Sequence, residues 1–237
     1  MLYLIGIGFG KKDINLNSLE TAKKCDKLYL ENYTSKGCGA KDLERIFGKK
    51  IEKLDRDNVE SDFLVKESKE KNIGLLVYGD CLFATTHVSL ILDAKKEDVD
   101  VEIVHNNSVF NYLGDIGLSI YNYGKIGSIT FDFKVDTPYN ILKDNLKINA
   151  HTLFLLDLDV KNNKYLSGND GLKYLFDKGM KDRLVVGCCA LGTKEKVIKV
   201  GMAKELLNYK FDKYPQCLII PSDKLHFIEE EALNNFK

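Results

Sequence analysis

Several features are missing from this 237-residue chain, and each absence removes a class of function. Lysine plus arginine number 35, as do aspartate plus glutamate, so the formal net charge is zero. A generic nucleic-acid binder carries a basic surplus that displaces counterions from phosphates, and this balance proposes no nucleic-acid partner. The six cysteines (Cys25, Cys38, Cys81, Cys188, Cys189, Cys217) contain no C-x-x-C pair. The four histidines (His87, His105, His151, His226) form no H-E-x-x-H, so a zinc site has no spacing to support it. Cysteines in apolar settings such as Val185-Val186-Gly187-Cys188-Cys189 read as small buried hydrophobes in a reducing compartment. The start, Met1-Leu2-Tyr3-Leu4-Ile5-Gly6, lacks the basic stretch of a secretory signal. The longest apolar run, Leu184 to Gly192, is far short of the ~20 residues of a membrane span. The expectation is a soluble cytoplasmic protein that needs neither metal nor membrane.

There is no internal repeat or low-complexity tract, and only three prolines interrupt the chain. What is present is 44% hydrophobic residues, enough to bury cores in two domains. Short apolar runs alternate with amphipathic ones. Strands are expected at Leu2–Ile7, Leu28–Glu31, Ile51–Leu54, Ile73–Val77 and Val101–Val104. Helices are expected between them, at Ser18–Cys25, Lys41–Phe47, within Val59–Lys71 and from about Thr86 to Lys95. Strands apolar throughout in a βαβα rhythm imply a parallel sheet covered on both faces.

After Tyr123-Gly124 the rhythm changes. Ile126–Phe133 and His151–Leu158 read as strands, Thr137-Pro138 opens a helix, and another helix lies near Asp170–Lys178. Leu184–Ala190 and Lys196–Val200 flank Gly192-Thr193 as a strand pair joined by a turn, and Leu218–Ile220 precedes a terminal helix from Phe227. A hairpin among crossovers means a mixed sheet. The fold class expected is therefore α/β, with a mainly parallel domain over 1–123 and a mixed-sheet domain over 124–237. A ligand cleft is expected between them.

Three loops carry candidate chemistry. Gly6-Ile7-Gly8-Phe9-Gly10 ends the first strand, where glycines let the backbone turn and approach a ligand. It misses the dinucleotide fingerprint G-x-G-x-x-G, because Lys11 stands where the third glycine should be. Glu31 ends the second strand as an acidic ribose ligand would, but further along than the usual ~20 residues. The loop Tyr78-Gly79-Asp80-Cys81-Leu82-Phe83-Ala84-Thr85-Thr86-His87 follows a strand. Asp80 there either shapes the turn or meets a cationic or hydroxyl-bearing ligand, Thr85 or Thr86 can cap the next helix, and His87 reads as a helix-surface residue. In His105-Asn106-Asn107-Ser108-Val109-Phe110, Ser108 is a helix cap or a ligand contact. Three such loops on one side of a sheet suggest a site.

The residues also carry a family resemblance. Leu2-Tyr3-Leu4-Ile5-Gly6-Ile7-Gly8, Lys24-Cys25-Asp26 and Glu31-Asn32-Tyr33-Thr34-Ser35 resemble the diphthine synthases. So do Gly79-Asp80 with Ala84-Thr85-Thr86-His87, His151-Thr152-Leu153 with Leu156-Asp157, and Lys224-Leu225-His226, in the same order along the chain. The resemblance implies a fold similar to the tetrapyrrole methylases, with S-adenosyl-L-methionine folded into the cleft between domains, and a homodimer. It implies translation elongation factor 2 as the protein substrate, methylated on the amine of a 3-amino-3-carboxypropyl group carried by a histidine. The cofactor contacts implied are Phe9, Asp80, Phe83, Ser108 and Val109 in the first domain, and Leu156, Leu191 and Gln216 in the second. No catalytic base is implied. Two positions depart from the family: Cys81 stands where proline is usual after Gly-Asp, implying a less rigid loop, and Gln216 where histidine is usual. Only Val160-Lys161-Asn162-Asn163-Lys164 follows the His151–Leu158 strand, which resembles the shorter archaeal members that stop at three methyl groups. The alternatives are another methyltransferase of this fold, a nicotinamide-dependent oxidoreductase, and a binding module without chemistry.

Overall fold

The first strand, β1 (Leu2–Gly6), is buried along its whole length. It begins a series that fills the first part of the chain: α1 (Leu16–Lys24), β2 (Lys27–Glu31), α2 (Ala40–Phe47), β3 (Ile51–Leu54), α3 (Arg56–Val59), α4 (Phe63–Glu67), β4 (Ile73–Val77), α5 (Val88–Lys96), β5 (Val101–Val104) and α6 (Val109–Tyr112). The computed structural model describes all 237 residues. The chain divides into two compact units, Met1–Asn111 with Val160–Asn162, and Tyr112–Asp159 with Asn163–Lys237. No helix is long and apolar enough to cross a membrane.

In the first unit five strands form one sheet, ordered β3-β2-β4-β1-β5, and every pairing is parallel. Leu4, Ile5, Leu75 and Leu76 are fully buried in its centre, each worth about 1.5–3 kcal/mol of transfer from water. The chain leaves β1 toward β2 but leaves β4 toward β5. Right-handed crossovers running in opposite directions put their helices on opposite faces. Accordingly α1 packs with α2, and α4 with α5. The loops after β1 and β4 therefore part at the carboxyl ends of neighbouring strands, where open α/β sheets bind ligands.

The second unit holds β6 (Gly127–Ile129), α7 (Thr137–Lys147), β7 (Thr152–Leu156), β8 (Leu158–Asp159), β9 (Lys164–Tyr165), α8 (Gly168–Asp177), β10 (Leu184–Cys189), β11 (Val197–Met202), α9 (Ala203–Leu206), β12 (Gln216–Ile220) and α10 (Phe227–Asn234). Its sheet, β11-β10-β12-β7-β6, is antiparallel except for β6 with β7. This is the mixed sheet expected from the hairpin, whose turn holds Gly192 at φ +80°.

Three elements differ from the sequence reading, each for a local reason. The helix expected within Val59–Lys71 is α4, only five residues long, and a separate short helix, α3, ends just before it at Val59. Between them Ser61 Oγ donates to Asn58 O (2.8 Å) and accepts from Phe63 N (3.2 Å), offering the backbone an alternative to the helix. The strand expected over Ile126–Phe133 ends at Ile129, because the Asp132 side chain turns the chain by accepting from Lys134 N. The expected His151–Leu158 strand stops at Leu156. Asp157 Oδ1 takes the Leu158 amide, and the chain leaves the sheet for a small β8–β9 hairpin.

Candidate active site

The loop after β1 is closed by its own acid. Gly8 and Gly79 pair across the β1 and β4 loops, Gly8 N to Gly79 O at 3.1 Å and Gly79 N to Gly8 O at 3.0 Å. Both are left-handed, at φ +65° and +78°, where glycine alone is unstrained. Asp13 then folds back, its Oδ2 accepting from Gly10 N (2.7 Å) and Phe9 N (3.3 Å). A Cβ on Gly8 would stand 2.4 Å from Asp13 Cβ, so this glycine makes room for the protein's own aspartate. The next helix, α1, begins only at Leu16, capped by Asn15. A dinucleotide loop needs free amides and a helix start against its glycines. Here an aspartate occupies those amides. Asp13 was not singled out in the sequence; an acidic residue three positions after Gly10 is the signal for such a local turn.

Asp80 does more than shape a turn. Its buried carboxylate accepts from Leu82 N (2.9 Å), from His105 Nδ1 (2.8 Å) and from Asn106 N (3.1 Å), while Asn106 Nδ2 donates to Gly6 O (3.1 Å). Through these bonds the loops after β1, β4 and β5 hold one another, so the expected convergence is present. Cys81 anchors the same loop. Its thiol reaches Leu4 O (3.6 Å) and Val104 O (3.7 Å) on two strands, and burial pushes it up to about 12. The position lacks proline but does not lack an anchor.

Phe9 is buried, packed so that a Cβ on Gly79 would lie 3.2 Å from its ring. Phe83 is 54% exposed and pairs with the Phe110 ring at 5.5 Å. Ser108 is buried, its Oγ accepting from Phe110 N at the head of α6, and Val109 is half-buried beside it. Two readings of this region are corrected. Neither threonine caps α5: Thr85 Oγ1 donates to Cys81 O and Thr86 Oγ1 to Glu60. His87 is not on a helix surface but buried, its Nδ1 bonding Cys81 O (2.9 Å) and its Nε2 lying 3.4 Å from Tyr33 Oη. It precedes α5 and turns back into the loop, where the Cys81 carbonyl accepts from its ring as well as from Thr85 Oγ1. Glu31 is likewise engaged, accepting from Tyr33 N and Thr34 N at 2.6 Å each.

In the second unit, antiparallel pairing sets the start of β12 beside the ends of β7 and β10. Leu156, Leu191 and Gln216 share that end of the sheet, and all three are buried. Both ends of the Gln216 amide are engaged within the unit: Oε1 accepts from Gly168 N (2.7 Å) at the head of α8, and Nε2 donates to Lys213 O (2.8 Å).

The motifs His151-Thr152-Leu153 and Lys224-Leu225-His226 also meet. His151 Nδ1 accepts from Ser222 N (2.9 Å), so its Nε2 is the donor toward Glu229 Oε1 at 3.2 Å. Glu229 further accepts from Ser119 N, Asn122 Nδ2 and His226 N. Burial alone would raise this carboxyl, but the His226 and Ser119 amides, Asn122 and His151 together bring it down to about 2. Nothing in the sequence pattern marks Glu229.

Residues 1–207 match the family model of tetrapyrrole (corrin/porphyrin) methylases. The chain is 38% identical to a diphthine synthase of Methanocaldococcus jannaschii, covering 98% of this chain and 97% of that protein. It is 36% identical to one of Methanococcus maripaludis, over 98% and 97%. A crystal structure of diphthine synthase superposes with a TM-score of 0.93 at 33% identity, covering 99% of this chain and 95% of that one. With agreement of that extent in sequence and backbone, the chain belongs to the diphthine synthase family of methyltransferases, within the tetrapyrrole methylases.

Proposed function

We propose that this protein transfers methyl groups from S-adenosylmethionine to the amine of the 3-amino-3-carboxypropyl-histidine on elongation factor 2, stopping at the trimethylammonium. Beyond family membership, the observation that carries this reading is Asp13. With its carboxylate on the Phe9 and Gly10 amides, the β1 loop has no place for a pyrophosphate and gains a negative charge. S-adenosylmethionine has no phosphate and carries a positive sulfonium. The buried carboxylate of Asp80 and the exposed ring of Phe83 suit a cation and an adenine face. The residues present therefore fit the cofactor. The contacts proposed are Phe9, Asp80, Phe83, Ser108, Val109, Leu156, Leu191 and Gln216; the last acts through its backbone or apolar stem, since its amide is already engaged.

When bound, the cofactor supplies an electrophilic methyl group. The chain's part is to hold a neutral amine in line with it, and positioning of this kind supplies much of the acceleration. Six free cysteines, five of them buried, suit a reducing cytoplasm. Exposed apolar side chains between Ile120 and Val135, including Tyr121 at 94% exposure, support a homodimer.

The test is thermal. At ~100 times its dissociation constant, a ligand that binds only the native state adds ~2.7 kcal/mol. The melting temperature should rise with S-adenosylmethionine or its demethylated product and not with NAD; a rise with NAD alone would end this reading. The extent of reaction is read by mass. With only Val160–Asn163 linking β8 to β9, as in the shorter archaeal members, incubation with elongation factor 2 bearing the unmethylated intermediate should add three methyl groups. A fourth, lost in mild alkali as an ester would be, would overturn that extent.

A further inference from the structure

Repeated methylation of one nitrogen poses a problem that positioning does not solve. Attack by the amine's lone pair forms the new C–N bond as the methyl–sulfur bond breaks, its electron pair passing to sulfur. The nitrogen is left cationic. It must lose a proton to recover a lone pair before the second transfer, and again before the third. A starting ammonium adds one more proton to remove. A group beside the reacting nitrogen has to accept these protons and release them to water.

The geometry points to His105 as that proton acceptor, oriented by Asp80. This assignment rests on the reading of the chain as an amine methyltransferase. His105 is the first residue after β5, at the ligand-binding end of the parallel sheet. Its Nδ1 lies 2.8 Å from Asp80 Oδ2. A carboxylate only accepts, so Nδ1 carries the proton of that bond, and the neutral ring presents Nε2 as a lone pair. Asp80 is itself fixed by Leu82 N and Asn106 N, and the His105 carbonyl accepts from Asn15 Nδ2 at 3.0 Å. Both ends of the residue are thus held. The Asp80 side chain is 2% exposed while that of His105 is 62% exposed. A buried carboxylate holds an imidazole whose far side meets solvent, as a base that must accept a proton and pass it on requires. The other histidine of this unit cannot serve in this way, because His87 is buried with Nδ1 on Cys81 O and Nε2 toward Tyr33. Nor does the nearby sulfur compete: Cys81, within 4.8 Å of the Asp80 and His105 ligand atoms, has its thiol directed at two strand carbonyls.

Two variants test the assignment. In His105→Asn the amide nitrogen stands where Nδ1 was, so the bond to Asp80 survives while Nε2 is lost. S-adenosylmethionine affinity by calorimetry should stay within about threefold of wild type, and methyl transfer to modified elongation factor 2 should fall about 10²–10⁴-fold. In His105→Ala, added imidazole should restore transfer by about tenfold or more without changing cofactor affinity. A His105→Asn rate near wild type, an Ala deficit that imidazole leaves untouched, or a parallel loss of cofactor binding would each overturn the role. Failure of the wild-type protein to bind S-adenosylmethionine is a different result: it removes the functional reading, and the assignment with it.

Discussion

His105 and His151 each hydrogen-bond a buried carboxylate, Asp80 at 2.8 Å and Glu229 at 3.2 Å. The two pairs have the same chemistry, one in each unit, but their surroundings differ. His151 is 0% exposed and both its nitrogens are engaged, Nδ1 by Ser222 N and Nε2 by Glu229. Around Glu229, three further groups converge, two from the Ser119–Asn122 turn and one from the head of α10. That pair is a clip that ties three segments of one unit together, with no lone pair or proton left for a substrate. His105 keeps one nitrogen for the outside. A histidine–carboxylate bond does not by itself make a base; an unengaged nitrogen does.

The largest expected effect comes from breaking the saturated pair. His151→Leu keeps the volume but removes a donor to a buried carboxylate and the acceptor of the Ser222 amide. Loss of one partner from a buried pair costs about 3–5 kcal/mol. Urea unfolding of the variant checks this, and a cost under about 1 kcal/mol would show that the hub relaxes or takes in water.

The contrast between the pairs also marks how far the sequence could be read. β3, β4 and β5 fall at Ile51–Leu54, Ile73–Val77 and Val101–Val104 as expected, since short apolar runs between charged stretches have few other solutions. The loop cluster was legible too, because glycine and polar residues recur at the ends of β1, β4 and β5. What stayed hidden was the partner of each polar group. Asp13, His87 and Glu229 have no periodic signature; each is defined by an amide or carbonyl it meets after folding, three to over a hundred positions away. The break within Val59–Lys71 was hidden for a similar reason, since it depends on the Ser61 hydroxyl bonding its own backbone.

Acid separates the pairs next. A carboxyl held near 2 in the folded state, against 4.5 ordinarily, favours folding fully above about pH 4.5. The contribution is lost as pH falls from there through 2, where folded and unfolded chains bind the proton alike. The shift corresponds to about 3 kcal/mol. Glu229→Gln should therefore lower stability at neutral pH and flatten its decline between about pH 5 and 2. A variant that keeps the wild-type acid slope would assign that slope to other carboxylates.

The least change in stability is expected at His105, whose side chain is 62% exposed. The same substitution, histidine to asparagine, can be made at both sites. At 105 the shorter side chain keeps a donor for Asp80, and the atoms it removes were in water, so stability should change by no more than about 0.5 kcal/mol. At 151 an asparagine cannot span Ser222 N and Glu229 Oε1 at once, so one buried group loses its partner, at a cost of about 1–3 kcal/mol. Denaturation midpoints of the two variants, with unchanged slopes, give the comparison directly. Equal costs would mean that His105 is as structural as His151. A stable His105→Asn protein whose methyl transfer is lost would leave the outward nitrogen as the only thing the substitution took away.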